Sequence, residues 1–167
     1  MRDYKVLGGL GAVFICLSVV PYIGPLLTLT GVILLGLALK SLGEPQLFRD
    51  FLLWVAVGIV GGAAAALLVF TGTLPAIKGT GAPSYVITGA GLLLGYVTGV
   101  VQALFLKRVF DNLQRLTGQE LFGWAGKLFL AGAVLLVLGI GVVVAWAGWV
   151  VAAVAFFTAP ERLRPSP

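Results

Sequence analysis

Six long apolar segments occupy most of the chain, and short polar or turn-forming links separate them. A spanning helix needs about 20 apolar residues to cross a hydrocarbon core of about 30 Å. The segments are close to this length, so the pattern predicts an all-α integral membrane helical bundle with six transmembrane helices. We expect a single membrane domain over residues 1–167, with spans at 6–20, 26–42, 47–70, 85–106, 121–138 and 142–159.

The links contain residues that break helices or start new ones. Pro21 and Pro25 separate the first two spans, residues 71–84 are typical of a loop, and Gly139-Ile140-Gly141 is the break before the last span. Residues 107–116 are predicted to continue the fourth helix beyond the membrane. The run 117–120 (TGQE) has the capping-box pattern and is predicted to open the fifth span. The repeated Gly-Ala-Val at 11–13 and 132–134 suggests a duplicated hairpin.

Charged residues fall almost entirely on one side of this pattern. All but one of the 11 Lys and Arg residues, and all six Asp and Glu residues, lie in the termini, in the second and fourth links, or at the span ends next to these links. Because short cytoplasmic loops are enriched in Lys and Arg, we expect a multi-pass cell-membrane protein with both termini cytoplasmic. The predicted cytoplasmic residues are Arg2, Lys5, Lys40, Arg49, Lys107, Arg108, Arg115, Lys127, Arg162 and Arg164, and Lys78 is outside.

Tryptophans favour the two interfaces of a bilayer. On that basis Trp54 and Trp124 are expected near the inner boundary, and Trp146 and Trp149 near the outer start of the sixth span.

The composition supports membrane insertion and indicates which partners the charged residues have. The chain is 60% hydrophobic and 10% charged, with a mean hydropathy of +1.10, which excludes an ordinary soluble domain. The net charge of +5 is spread over span ends rather than gathered in a patch. We therefore expect membrane lipids, and not nucleic acid, as the partners of these residues.

No catalytic or metal-binding set can be assembled from the sequence. Histidine is absent, Cys16 is the only cysteine, and it lies in an apolar segment. A Ser-His-Asp set and an intramolecular disulfide are therefore both excluded. We expect no enzyme activity, cofactor or metal. The scarcity of thermolabile residues hints at a thermophilic source.

Small residues recur every four positions on two spans. Gly91, Gly95, Gly99 and Ala103 lie on the fourth span, and Gly58, Gly62 and Ala66 lie on the third. Such spacing lets helices approach closely. The favoured interpretation is tight packing of spans 3 and 4 within one subunit, and the alternative is a homo-oligomer interface. In either case Gly95→Leu is expected to disrupt folding or assembly.

Polar side chains inside the spans are few. Thr30, Tyr96 and Thr98 are candidates for a shared polar cavity, although bonds to their own or neighbouring helices are the simpler expectation. Gln102 is expected to bond to a neighbouring helix or a headgroup. No span interior contains an ionisable residue of the kind that marks ion pathways.

Several segments resemble an archaeal membrane-protein family of unknown function, DUF996. They are VLGGLGAV at 6–13, ILLGLALKS at 33–41, LFR at 47–49, Thr117-Gly118 followed by Leu121-Phe122, and WVVAAVAFFTAP at 149–160. The resemblance implies a multispan archaeal protein and supplies no activity.

The functional expectation is a non-enzymatic membrane protein, an accessory subunit or a homo-oligomeric scaffold that belongs to a larger membrane complex. The alternative is a passive channel or carrier for a small neutral solute. Short links and small-residue packing motifs favour the first.

Overall fold

A computed structural model describes residues 3–160, and the chain there is almost entirely α-helical. A 3-10 turn, Leu135–Leu138, extends the fifth helix. The helices are α1 (Asp3–Leu17), α2 (Gly24–Ser41), α3 (Pro45–Ile77), α4 (Tyr85–Thr117), α5 (Glu120–Val134) and α6 (Gly141–Thr158). Five of the helical stretches are long and apolar enough to cross a membrane, and α1 is a shorter apolar helix. The described residues therefore form an all-α bundle of the membrane type.

The helices alternate in direction and form a ring in chain order. Each helix packs on its chain neighbours, and α6 packs on α1 to close the ring. The contact between α2 and α3 is slight and includes Gly36 against the ring of Phe51. We call the end that holds the α2–α3 and α4–α5 links the charged end, and the opposite end the open end. Arg2, Arg162 and Arg164 lie outside the described residues.

The hydrophobic core sits at the charged end, where all six helices meet. Fully buried members are Tyr4, Leu39, Leu47, Phe110, Phe122 and Phe156. Seven rings make a continuous aromatic cluster with neighbouring centroids 4.7 to 6.4 Å apart: Phe51, Trp54, Phe110, Phe122, Phe129, Trp149 and Phe156. Aromatic pairs at these separations add to the stabilisation from burial.

The third helix is longer than the sequence indicated. Residues 71–77, predicted as loop, continue α3 to Ile77. A Cβ on Gly72 would overlap the Thr88 hydroxyl, and the Gly72 carbonyl accepts a 2.8 Å hydrogen bond from the Ser84 amide. This contact with α4 offsets the poor helix propensity of glycine and threonine, so the true loop is only 78–84.

At the α4–α5 link, one prediction is confirmed and another is wrong. Helix α4 continues through residues 107–116, as expected, and an ion pair joins Lys107 to Asp111. Thr117, however, ends α4 and donates to the Leu113 carbonyl at 2.6 Å. Gly118 then adopts a left-handed conformation (φ 73°) and terminates the helix, the usual role of glycine at this position. Thr117 therefore does not open α5, which begins at Glu120 without a side-chain cap.

The predicted break before α6 is confirmed by Gly139, which is left-handed (φ 77°), and by the start of α6 at Gly141. Ser84 is the residue before α4, as expected, but its side chain makes no capping hydrogen bond.

The tryptophan prediction is wrong for Trp149. The rings of Trp54 and Trp149 lie 6.2 Å apart, so they share one depth and cannot mark opposite boundaries. Trp149 is in the middle of α6 because that helix begins eight residues earlier, at Gly141. Trp124 is exposed beneath Lys127, with the ammonium 4.9 Å from the ring centroid.

The two ends of the described chain are joined. The Tyr4 hydroxyl donates a 2.6 Å hydrogen bond to the Pro160 carbonyl, and only 1% of Tyr4 is exposed. Its neighbours in α1, Gly8 and Gly9, lie against the rings of Phe156 and Phe157. The first and last helices therefore form one packed unit.

Candidate functional site

The contact between α3 and α4 is an antiparallel line of small residues. A Cβ on Gly91 would lie 2.8 Å from the Val69 backbone nitrogen and 3.0 Å from the Ala65 carbonyl oxygen. Further along, Gly61 lies against Thr98. We call this line the α3–α4 seam. Added atoms at Gly91 would meet backbone, which cannot move aside as a side chain can.

The seam uses a different spacing from the one that the sequence suggested. Its α4 positions are Thr88, Gly91, Gly95, Thr98 and Gln102, alternately three and four residues apart. A strict four-residue spacing drifts by about 40° per step, whereas the alternating spacing keeps two antiparallel helices in contact.

The predicted packing residues therefore separate into two groups. Gly58, Gly91 and Gly95 lie on the seam, and a Cβ added at Gly95 would be an ordinary 3.5 Å from the Cβ of Ala65. A Cβ on Gly62 or Gly99 would meet nothing within 4 Å. Ala103 is buried in α4 and lines a cavity described below.

The three candidate polar-cavity residues are not brought together. The Thr30 hydroxyl donates to the Leu26 carbonyl of its own helix at 2.9 Å. Thr98 is 8% exposed and lies on the α3–α4 seam. The Tyr96 hydroxyl lies 3.5 Å from the Val134 carbonyl of α5, a long contact beside an apolar cleft of about 910 Å³.

A cleft of about 370 Å³, which we call the central cavity, opens between the helices of the ring. Five helices line it, and its polar side chains are Ser18, Gln102 and the tryptophan indoles. Trp54, Phe129 and Trp149 belong to both the lining and the aromatic cluster. The aromatic cluster thus forms the floor of the central cavity, the side that faces the charged end. No charged residue lines it.

Gln102 is the distinctive polar group of this cavity. Its Nε2 donates a 3.2 Å hydrogen bond to the Trp54 carbonyl of α3. A Cβ on Gly58 would overlap this amide, so the glycine makes room for it. The expected bond to a neighbouring helix is confirmed.

A polar cleft of about 470 Å³ lies at the charged end, lined by Asp111, Gln114, Arg115, Gly118 and Glu120. Its charges are mixed in sign, and Asp111 is already paired with Lys107. Within residues 3–160, no three His, Cys, Asp or Glu side chains are grouped so that they could hold a metal ion.

The sequence profile of a protein family of unknown function, DUF996, matches residues 27–150 of the chain. The chain belongs to this family. It is also 30% identical over 174 residues to an uncharacterized protein of Methanocaldococcus jannaschii, covering 98% of this chain and 96% of that one. No solved structure matches it.

Sequence reasoning missed two features that depend on tertiary contacts. The aromatic cluster combines residues from four helices, and no local spacing links them. The sequence does place a glycine, Gly58, on one span and an amide, Gln102, on the next. It does not give the register between the two spans, so the pairing of these residues could not be predicted.

Proposed function

We propose that the protein is a non-enzymatic, six-span membrane protein with both termini cytoplasmic, acting as an accessory or scaffold subunit. The observation that best supports this proposal is the exposure of α3. This helix packs on α4 and, near its start, lightly on α2. Only 6% of its most apolar 18-residue window is buried, although that window has a mean hydropathy of 2.4. Large exposed apolar surfaces are typical of contact with lipid or with another membrane protein.

Charge and helix direction support the proposed orientation. Because the helices alternate in direction, α1 begins and α6 ends at the charged end, where Lys40, Arg49 and Lys107 also lie. Lys78 follows α3 at the open end. The positive-inside tendency then assigns the charged end to the cytoplasm.

Cysteine labelling tests this topology. In a Cys16→Ala background, a membrane-impermeant maleimide added to intact cells is expected to modify Lys78→Cys and to spare Arg115→Cys. Permeabilised cells provide the control, since both variants should then react. Labelling of Arg115→Cys alone in intact cells would overturn the orientation.

The assembly surface that we propose is the outer face of α3. Ile59 and Phe70 are 65% and 56% exposed, and Gly62 and Ala66 between them are exposed as well. Small residues four apart on an exposed helix face allow a second helix to approach closely. We propose the same face of a second copy as the occupant, which would pair two α3 helices.

Substitutions at two adjacent glycines distinguish an effect on folding from an effect on assembly. Gly61 lies against Thr98 inside the subunit, whereas Gly62 has open space around it. Gly62→Leu should leave monomer thermal stability unchanged in detergent and abolish Ala66→Cys disulfide cross-linking between copies. Gly61→Leu should lower monomer stability. Unchanged cross-linking in Gly62→Leu would contradict the α3–α3 contact.

The central cavity favours a second candidate, a carrier for a small neutral solute. The aromatic cluster closes the cavity toward the charged end, so transport would require that floor to open. Liposome flux of glycerol and urea tests this directly. Saturable flux that Gly99→Leu removes would favour the carrier over the scaffold, and flux at the level of empty liposomes would exclude transport of these solutes.

A further inference from the structure

The central cavity has the size and walls of a small-molecule site. Ligand pockets commonly enclose about 300 to 1,000 Å³, with apolar walls and a few polar groups that orient the ligand. At about 370 Å³ this cavity is at the small end of that range. Helices α1, α3, α4, α5 and α6 each contribute to its lining, so its shape depends on the whole bundle.

The floor favours a flat apolar group. The rings of Phe129 and Trp149 are 4.7 Å apart at an interplanar angle of 62°, and Trp54 is tilted 58° to Trp149. Differently inclined rings offer both faces and edges to a bound ring, which are the arrangements that aromatic pairs prefer. The Ser18 hydroxyl already donates a 2.6 Å hydrogen bond to the Ile15 carbonyl. The indole N–H of Trp146 donates one of 3.0 Å to the Cys16 carbonyl.

Gln102 supplies a polar atom of known type. A carbonyl oxygen only accepts hydrogen bonds, so the atom of Gln102 that faces the Trp54 carbonyl must be Nε2. This fixes the amide orientation and leaves Oε1 as an acceptor. Among residues 3–160, no hydrogen bond ends on Oε1, this oxygen is not fully buried, and Gln102 lines the central cavity.

We propose that the central cavity binds a small neutral molecule with a ring-shaped apolar body and one O–H or N–H donor, which bonds to Oε1 of Gln102. The uncharged lining disfavours ions, which would lose hydration without a compensating partner. A lipid acyl chain could fill the space but has no donor for Oε1. The proposal is independent of the α3 assembly surface, and binding alone does not imply transport.

A matched pair of probes tests the donor requirement. Fluorine NMR titrations of protein in detergent would compare 4-fluorophenol with 4-fluorotoluene, which differ chiefly in the hydroxyl group. We expect saturable binding of 4-fluorophenol, roughly tenfold tighter than that of 4-fluorotoluene, because the hydroxyl group adds one hydrogen bond to Oε1 of Gln102. Equal affinities for the two probes would contradict the role of Gln102 and indicate an acyl-chain or purely apolar site.

Two variants locate the binding. Gln102→Met keeps the length of the side chain but removes Oε1, so the variant should bind 4-fluorophenol and 4-fluorotoluene with about equal affinity. Gly99→Leu should abolish saturable binding of both probes, because Gly99 lines the cavity and a Cβ there meets nothing within 4 Å. Gly89→Leu is the control, since Gly89 is also in open space and is outside the cavity lining. If Gln102→Met does not fold, the Gly99→Leu variant still tests whether the probes bind in the central cavity. Unchanged binding in Gly99→Leu would overturn the proposal.

Discussion

The long α3–α4 hairpin and the two short hairpins, α1–α2 and α5–α6, use glycine and apolar residues in different ways. Helices α3 and α4 have 33 residues each, about 50 Å, against 15 to 18 for the other four. Buried residues make up 6% of the apolar window in α3 and 33% of those in α2 and α6. The most apolar of these windows is thus also the least buried.

Close packing is concentrated at one crossing in each short hairpin. A Cβ on Gly11 would lie 2.8 Å from the Gly31 carbonyl oxygen, and one on Gly132 would lie 2.7 Å from the Ala145 nitrogen. In the long hairpin, by contrast, the seam runs from Gly58 to Gly72. Damage to a short hairpin should therefore disturb the ring and its core, whereas damage to the seam should separate α3 from α4 and leave the contact of α4 with α5 in place.

The largest effect is expected at the α1–α2 crossing. In Gly31→Leu the new side chain would meet the Gly11 carbonyl oxygen at 2.7 Å and the backbone nitrogen of Ile15 at 3.2 Å. Both are backbone atoms, so the hairpin must open, and we expect a loss of about 3 kcal/mol or more in stability. Size-exclusion chromatography and thermal unfolding in detergent measure this. A folded variant with a wild-type midpoint would show that the short hairpins are not rigid.

A smaller loss is expected on the α3–α4 seam. Gly91→Leu would meet the backbone of α3, but the two helices can move apart into lipid, so we expect a cost of about 1–3 kcal/mol. Gly89→Leu, in open space on the same helix, should leave the thermal midpoint unchanged. Gly95→Ala should be nearly neutral, because its Cβ would be in ordinary contact with Ala65. Equal losses at positions 89 and 91 would remove the distinction between seam and open face.

A modest effect is expected where the first and last helices meet. Tyr4→Phe removes the hydrogen bond to the Pro160 carbonyl while keeping the buried ring, which should cost about 1 kcal/mol. The thermal midpoint of the purified variant measures the loss. Tyr85→Phe is a suitable control, because Tyr85 is 78% exposed. Identical midpoints for wild type and Tyr4→Phe would mean that packing alone joins these helices.

The smallest effect is expected between the long hairpin and α5. The Tyr96 hydroxyl is 3.5 Å from the Val134 carbonyl, the outer limit of a hydrogen bond, so Tyr96→Phe should change stability by less than about 0.5 kcal/mol. A drop comparable to that of Tyr4→Phe, in the same unfolding assay, would show that the contact of Tyr96 with α5 is stronger than its length indicates.

Local features of the fold followed from the sequence, while contacts between distant segments did not. Apolar segment lengths, Gly139 and the continuation through residues 107–116 were sufficient to predict six helices and most of their ends. The true end of α3 depends on Gly72 meeting Ser84 and Thr88, which no local propensity reveals. The choice of Gly91 over Gly99 as a seam residue required the register of α3 against α4, because both glycines fit the same four-residue pattern.

The contact of Tyr4 with Pro160 has a consequence for how the chain matures. Its partners are separated by 156 positions, so α1 cannot find its final neighbour until α6 has been synthesised. Contacts between distant segments form late because the intervening chain must first be ordered. The surface of α1 around Gly8 and Gly9 therefore stays uncovered by α6 while the rest of the chain is made. The docking of the first helix against the last can therefore begin only after all six helices have been made.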